Sequence, residues 1–137
     1  TAKPDALDNT LKSVERIAIG NGYDSFLMFN VYAQRATRPD DMERVCNSAL
    51  HEENRKAFRY LLSLSETPAI WAAWGNIIEK RDYLMDCMRD FAADGQAANA
   101  QWFTAGPLLK SGHPHHPLYL KSTTALQPFD IDAYLCR

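Results

Sequence analysis

Ala69-Ile70-Trp71-Ala72-Ala73-Trp74-Gly75 decides the fold, because it is an apolar run of strand length closed by a glycine, with a helical pattern directly behind it. Residues 77 to 93 carry Ile77, Leu84, Met85, Met88 and Phe91 at helical spacing, so the unit reads as strand, glycine turn, helix. Upstream, Thr67-Pro68 breaks a helix predicted from roughly His51 to Leu64, with Leu50, Ala57, Phe58, Leu61 and Leu62 as its inner stripe. Downstream, Gln101 to Ala105 fits another short strand.

The same pattern extends towards both ends. Ser25-Phe26-Leu27-Met28-Phe29-Asn30-Val31-Tyr32 is nearly unbroken in apolar character, the signature of a strand buried on both faces of a parallel sheet, with Asn30 near its C-terminal end. Leu7, Leu11, Val14, Ile17 and Ala18 define a helix over residues 7 to 19, started by Asp8, Asn9 or Thr10 and stopped by Gly20-Asn21-Gly22. Thr37-Arg38-Pro39-Asp40-Asp41 supplies a cap, an early proline and acids for a short helix ending by about Cys46. Phe129 to Leu135 reads as a last helical turn on the outside.

Alternating strands and helices of this kind predict an α/β fold: a short, mostly parallel sheet covered by helices on both faces, in three layers α/β/α. Ligands of such sheets sit beyond the C-terminal ends of the strands. Asn30, Gly75 and the loop that starts at Gly106 all fall there, so the topology would gather them although they are far apart in the sequence.

The chain has 137 residues, enough for one domain with its own core. Hydrophobic residues make up 46%, charged residues 23%, and the net charge is -2, which gives no basic field for a polyanion. A local basic patch is still available from Arg35, Arg38, Lys110 and Lys121. Cys46, Cys87 and Cys136 form no CxxC pair, so reduced thiols and a cytoplasmic location are expected. No apolar run approaches the roughly 18 residues of a membrane span, and no signal-peptide pattern opens the chain.

Gly112-His113-Pro114-His115-His116-Pro117-Leu118-Tyr119-Leu120 brings three imidazoles and two prolines into one loop. Proline fixes φ and removes an amide donor, so this loop is stiffened around groups that titrate near neutrality. His113 and His116 are therefore the candidates for proton transfer or for donating to an oxyanion, against the plainer reading of imidazoles that cap carbonyls. Asn30 has an amide that both donates and accepts, as reading the edge of a heterocycle requires. Arg35 and Arg38, beside Thr37, suit a phosphate or carboxylate. Trp74, next to Gly75, and Tyr119 offer stacking surfaces, although aromatics at strand ends often belong to the core. His115 and His116 are adjacent and no Cys or acid stands at ligand spacing, so neither a metal nor another cofactor is expected.

Asp8-Asn9-Thr10, the stretch Asn30 to Pro39, Asn54, Ala73-Trp74-Gly75 and the stretch Lys110 to Leu120 together resemble the bacterial Domain of Unknown Function family 1643, along nearly the whole chain. That family has an N-terminal strand ending in Asn-Pro-Ser directly before the residues matching Thr1-Ala2, which implies a first strand missing from this chain. More distantly, Asn30 with Arg35-Ala36, Trp74-Gly75, and either His113-Pro114 or His116-Pro117 are similar, in the same order, to strand-end motifs of the uracil-DNA glycosylase fold. The likeness implies that architecture more than that activity.

The reading that follows is a pocket at the strand C-termini that binds a nucleobase, a nucleotide or a similar planar anion, with hydrolysis as its extension. Asn30, Arg35, Thr37, Trp74, Gly75 and Tyr119 would contact the ligand, and His113 or His116 would polarise the bound or reacting oxygen. The alternative is a non-catalytic accessory module for nucleic acid or a protein partner. The residues alone leave enzyme and binder, and the oligomeric state, open.

Overall fold

The computed structural model describes residues 4–32, 42–118 and 120–136, with residues 4–8 described by their backbone only. Helix α1 spans Pro4–Gly20 and α2 spans Ser48–Leu62; strand β1 is Ala69–Trp71, followed by a 3-10 helix at Gly75–Lys80 and by α3 at Tyr83–Ala97. Strands β2, Gln101–Ala105, and β3, Leu126–Pro128, precede a short α4 at Ile131–Leu135. The architecture is α/β. Among the described residues no helix is long and apolar enough to cross a membrane.

The sheet has three strands in the order β1-β2-β3. β1 and β2 run parallel, with Ile70 opposite Trp102, as expected when a helix connects them; β2 and β3 run antiparallel, with Thr104 opposite Gln127. The expected mostly parallel sheet is thus a mixed one. β3 carries no sequence signal, because three residues are too few for an alternation to register.

Helix α1 begins at Pro4, where a missing N–H removes no helical hydrogen bond, so Asp8, Asn9 and Thr10 lie inside the helix and do not cap it. Its end is as predicted. Tyr23 N–H reaches Ala18 O and Gly22 N–H reaches Ile19 O, each at 3.0 Å, with Gly22 at φ +92°: a Schellman closure that needs a residue without Cβ. Asn21 then ties this corner to β3, its Nδ2 donating to Thr124 O at 3.0 Å while its Oδ1 accepts from Leu126 N at 2.9 Å.

Helix α2 starts earlier than the apolar stripe indicates, because Asn47 Oδ1 accepts from Leu50 N at 3.0 Å and caps it. Phe58 and Leu62 of the predicted stripe are buried, and Ala57 is exposed. The single helix expected over 77 to 93 is two elements. Arg81 is extended between them, at φ -140° and ψ 138°, and its guanidinium donates to Met42 O at 2.6 Å and Glu43 O at 3.1 Å. The same contacts hold residues 42 to 47 as a loop, so the helix expected to end near Cys46 is absent from its described part; its start, Thr37 to Asp41, lies outside the described residues.

The main core joins Phe58 and Leu62 of α2, Leu84, Met88 and Phe91 of α3, Trp102 of β2 and Tyr134 of α4. Phe58 and Phe91 rings meet at 5.0 Å, and Phe29 wedges against both at 5.1 and 5.6 Å. That wedge is the fate of the Ser25 to Tyr32 run. Residues 25 to 30 form no strand, and Leu27 and Met28 are 67% and 53% exposed, while Phe29, Val31 and Tyr32 pack the end of the segment against the core. A buried parallel strand needs a ladder partner for its backbone, and none of the described strands offers this segment one.

Candidate functional site

The chain leaving β1 meets the histidine loop directly. Ala72 N–H donates to Phe103 O at 2.8 Å, carrying the strand pairing one residue further, and Gly75 N–H then donates to Pro114 O at 3.0 Å. Gly75 stands at φ +62°, a left-handed conformation that side chains with a Cβ rarely adopt, and that turn aims its N–H at the loop. Asn76 Oδ1 accepts from Ser111 Oγ at 2.5 Å and clasps the two segments a second time. The loop itself is closed by Gly112 N–H to Leu109 O at 2.7 Å and Leu109 N–H to His113 O at 3.0 Å, with Pro114 fully buried.

His113 is the buried centre of this rim, with 3% of its surface exposed. Its Nδ1 lies 2.6 Å from Tyr134 Oη. The same hydroxyl accepts from Trp74 Nε1 at 3.0 Å, and the Trp74, Phe129 and Tyr134 rings pack together at 5.4 to 6.4 Å. His113 Nε2 has Glu79 Oε1 at 3.2 Å, an ion-pair distance, yet no acceptor lies along its N–H direction, so this buried nitrogen makes no hydrogen bond. Glu79, on the 3-10 helix, is largely in solvent, which weakens its pull on the ring.

His116 sits at the edge of the same rim, its Cβ 3.8 Å from where a Cβ on Gly75 would stand. Its Nδ1 accepts from Leu118 N at 3.2 Å, which leaves the proton of the neutral ring on Nε2. Desolvation, and then the neighbouring His115, hold its pKa below the ordinary value. The ring keeps substantial solvent contact, so the effect on stability is small. His115 turns the other way and donates through Nδ1 to His116 O at 2.6 Å.

Of the residues singled out from the sequence, Trp74, Gly75, His113 and His116 come together. Trp74 serves the cluster as a donor to Tyr134 and as an edge-on partner of Trp102 at 6.5 Å. Asn30 is exposed elsewhere: its carbonyl accepts from Asn54 of α2 at 3.0 Å, and among the described residues it makes no hydrogen bond to the histidine loop. Arg35, Thr37 and Tyr119 lie outside the described residues. Tyr134, Glu79, Asn76 and Ser111 were not anticipated. Tyr134 carries one signal, its position three residues after Ile131 behind a capping Asp130, but that marks a buried face and says nothing of the hydroxyl's partners.

A second polar cluster joins α2 to α3. His51 is buried, with Nε2 2.8 Å from Asp90 Oδ2 and Nδ1 without a hydrogen-bond partner. Arg55 grips Asp94 through Nε at 3.0 Å and Nη2 at 2.8 Å, and this fork raises the Arg55 pKa further. Asp94 is 7% exposed. A buried carboxylate without that fork would be strongly destabilising, so the cluster is a helix-to-helix tie.

Among the described residues no three His, Cys, Asp or Glu side chains gather as a metal site. Two open clefts lie away from the histidine loop. One, of about 430 Å³, runs between Arg44 to Cys46 and Lys80 to Asp86; the other, of about 230 Å³, lies between the end of α1 and Tyr23 to Phe26.

The fold and the rim define an α/β protein whose buried histidine is oriented by a tyrosine at the end of a parallel strand pair. The model of a protein family of unknown function, DUF1643, matches residues 1–118, and the chain belongs to that family. No curated protein and no solved structure matches it.

Proposed function

We propose that the rim made by Trp74-Gly75 and the loop His113 to Pro117 holds a nucleobase, a nucleotide or a similar planar anion in the bacterial cytoplasm. Asn30, Arg35, Thr37 and Tyr119 complete the ligand contacts in this reading, within a layered, glycosylase-like arrangement. The observation that carries it is His113: a buried imidazole with one nitrogen fixed by Tyr134 and the other making no hydrogen bond. With Tyr134 donating to Nδ1, the neutral ring carries its proton on Nε2 and offers that N–H to a ligand oxygen. Glu79 beside it would stabilise the imidazolium if the ring took up a second proton, and that is the basis for a hydrolytic extension.

The test is a thermal-shift panel of bases, nucleosides and nucleotides on the wild type, His113→Gln and Asn30→Ala. One ligand class should raise the melting temperature of the wild type and bind about tenfold or more weakly to His113→Gln, the loss expected for one charge-assisted hydrogen bond. Equal shifts in all three proteins, or none in the wild type, would sink the reading. The non-catalytic accessory module is favoured by a single observation, that the two clefts lie away from the rim. Binding without product from the same panel would select it.

A further inference from the structure

The end of α1 and the segment after it carry apolar side chains that the core does not use. Ile19 and Leu27 are 60% and 67% exposed, and Tyr23, Phe26 and Met28 are exposed as well. Ile19, Tyr23 and Phe26 line the cleft of about 230 Å³ at this corner. Large apolar side chains scattered singly over a surface need no explanation, but a run of them beside a cleft marks a contact site.

Two further properties of this corner specify what it contacts. The first is charge. Glu15 and Asp24 are the charged residues in the lining of the cleft; both are acidic, and neither makes an ion pair among the described residues. Lys12 and Arg16, the exposed basic residues of α1, are outside that lining. A phosphate or carboxylate is repelled here, whereas a Lys or Arg side chain gains a partner. The second property is the main chain. From Asp24 to Phe29 the backbone makes no hydrogen bond among the described residues, and the next one is accepted by Asn30 O. Residues 24 to 28 are exposed and include no Gly or Pro, so their N–H and C=O groups are left to water and are open to a second backbone.

We propose that residues 23 to 28 and the cleft beside them form a docking site for an extended segment of a partner protein, in which Lys or Arg alternates with apolar residues. The segment lies along Ser25 to Met28 and exchanges main-chain hydrogen bonds with it, as an added strand does. One of its apolar side chains enters the cleft against Ile19, Tyr23 and Phe26, and another covers Leu27. Its basic side chains meet Glu15 and Asp24, where they govern approach and choice of partner more than strength. The cleft lies away from the histidine loop, so this proposal and the ligand reading of the rim stand or fall separately.

The experiment is selection of phage-displayed random peptides on the immobilised full chain, followed by fluorescence polarisation with the enriched peptides. Those peptides should carry Lys or Arg in alternation with apolar residues. Their affinity should fall about tenfold or more for Leu27→Asp, which places a charge against the apolar contact, and for Glu15→Lys combined with Asp24→Lys. His113→Gln should bind them as the wild type does. All three altered positions at this corner are exposed, so each variant should melt as the wild type does. Exchanging the basic residues of a peptide for Glu should restore its binding to the charge-reversed protein. N-methylation of alternate peptide residues should abolish binding in one register and spare it in the other, because only one edge of a strand faces its neighbour. Absence of enriched peptides, enrichment of acidic or uncharged ones, equal affinity for all variants, or indifference to N-methylation would each overturn the proposal. So would a wild-type dimer that Leu27→Asp dissociates, since a second copy would then be the occupant.

Discussion

His51 and His113 are both buried and each has one ring nitrogen bonded and one not, but their partners lie in different parts of the fold. His51 faces a carboxylate, Asp90, inside a helix-to-helix network that also holds Arg55 and Asp94. Every strong contact there joins α2 to α3, so the imidazole belongs to the scaffold. His113 faces a neutral hydroxyl, Tyr134, in a loop fixed by prolines and by the chain leaving β1. Its remaining nitrogen is buried, makes no hydrogen bond and has the exposed Glu79 carboxylate at 3.2 Å. Burial alone therefore says little about a histidine; the elements that its partners belong to show which parts of the fold it ties together.

The contrast is open to attack by mutation. Asp94→Ala removes the buried carboxylate that pairs with Arg55 and should lower stability by about 2 to 3 kcal/mol, read from urea denaturation, because a charge is left without its partner. If the folded fraction of that variant also lost ligand binding, the two clusters would be one functional unit and the comparison would fail. Tyr134→Phe withdraws the hydroxyl from both His113 and Trp74 and should cost about 2 kcal/mol, with weakened binding in the same thermal-shift panel. Gly75→Ala imposes a Cβ at φ +62° with only ordinary contact to His116, so backbone strain of about 1 kcal/mol is the whole expected effect. A melting temperature unchanged in Gly75→Ala would show that the turn can flatten without loss.

The smallest effect concerns pH. The folded pKa of His116 lies below 6.5, so above that value the ring is neutral in both folded and unfolded chains. As pH falls through 6.5 the unfolded chain takes up the proton first, and stability declines. Solvent contact keeps the decline small. Urea midpoints at about pH 7.5 and about pH 5 should therefore fall slightly less for His116→Gln than for the wild type; an equal fall would remove His116 from the desolvated rim.

How legible this molecule is from its residues depends on the range of the contact that fixes each part. β2 matches its expected span residue for residue, and α2 begins three residues early, where the Asn47 cap lies outside the hydrophobic period, and ends two residues short of Leu64. The run Ser25 to Tyr32 misleads because an unbroken apolar stretch looks the same whether a ladder buries it or a few side chains at its end, Phe29, Val31 and Tyr32, anchor it. Arg81 breaks a helix that the period carries straight through, since its reason to be extended is a pair of carbonyls in another loop. At the rim, Trp74-Gly75 and the histidines stand out by residue type, and strand-end topology brings them together. Tyr134 does not stand out, because its value lies in a hydroxyl that meets His113 and Trp74 from 21 and 60 positions away.

That separation has a consequence for synthesis on the ribosome. Asn21 precedes its partners by about a hundred residues, so its amide finds Thr124 and Leu126 only after those have been made, and the His113 ring has no Tyr134 to orient it until that residue follows. The β1 to β2 unit can pair before then, since every residue it needs lies within one crossover. The imidazole thus acquires its orientation from Tyr134 only after the strand pair behind it is able to form.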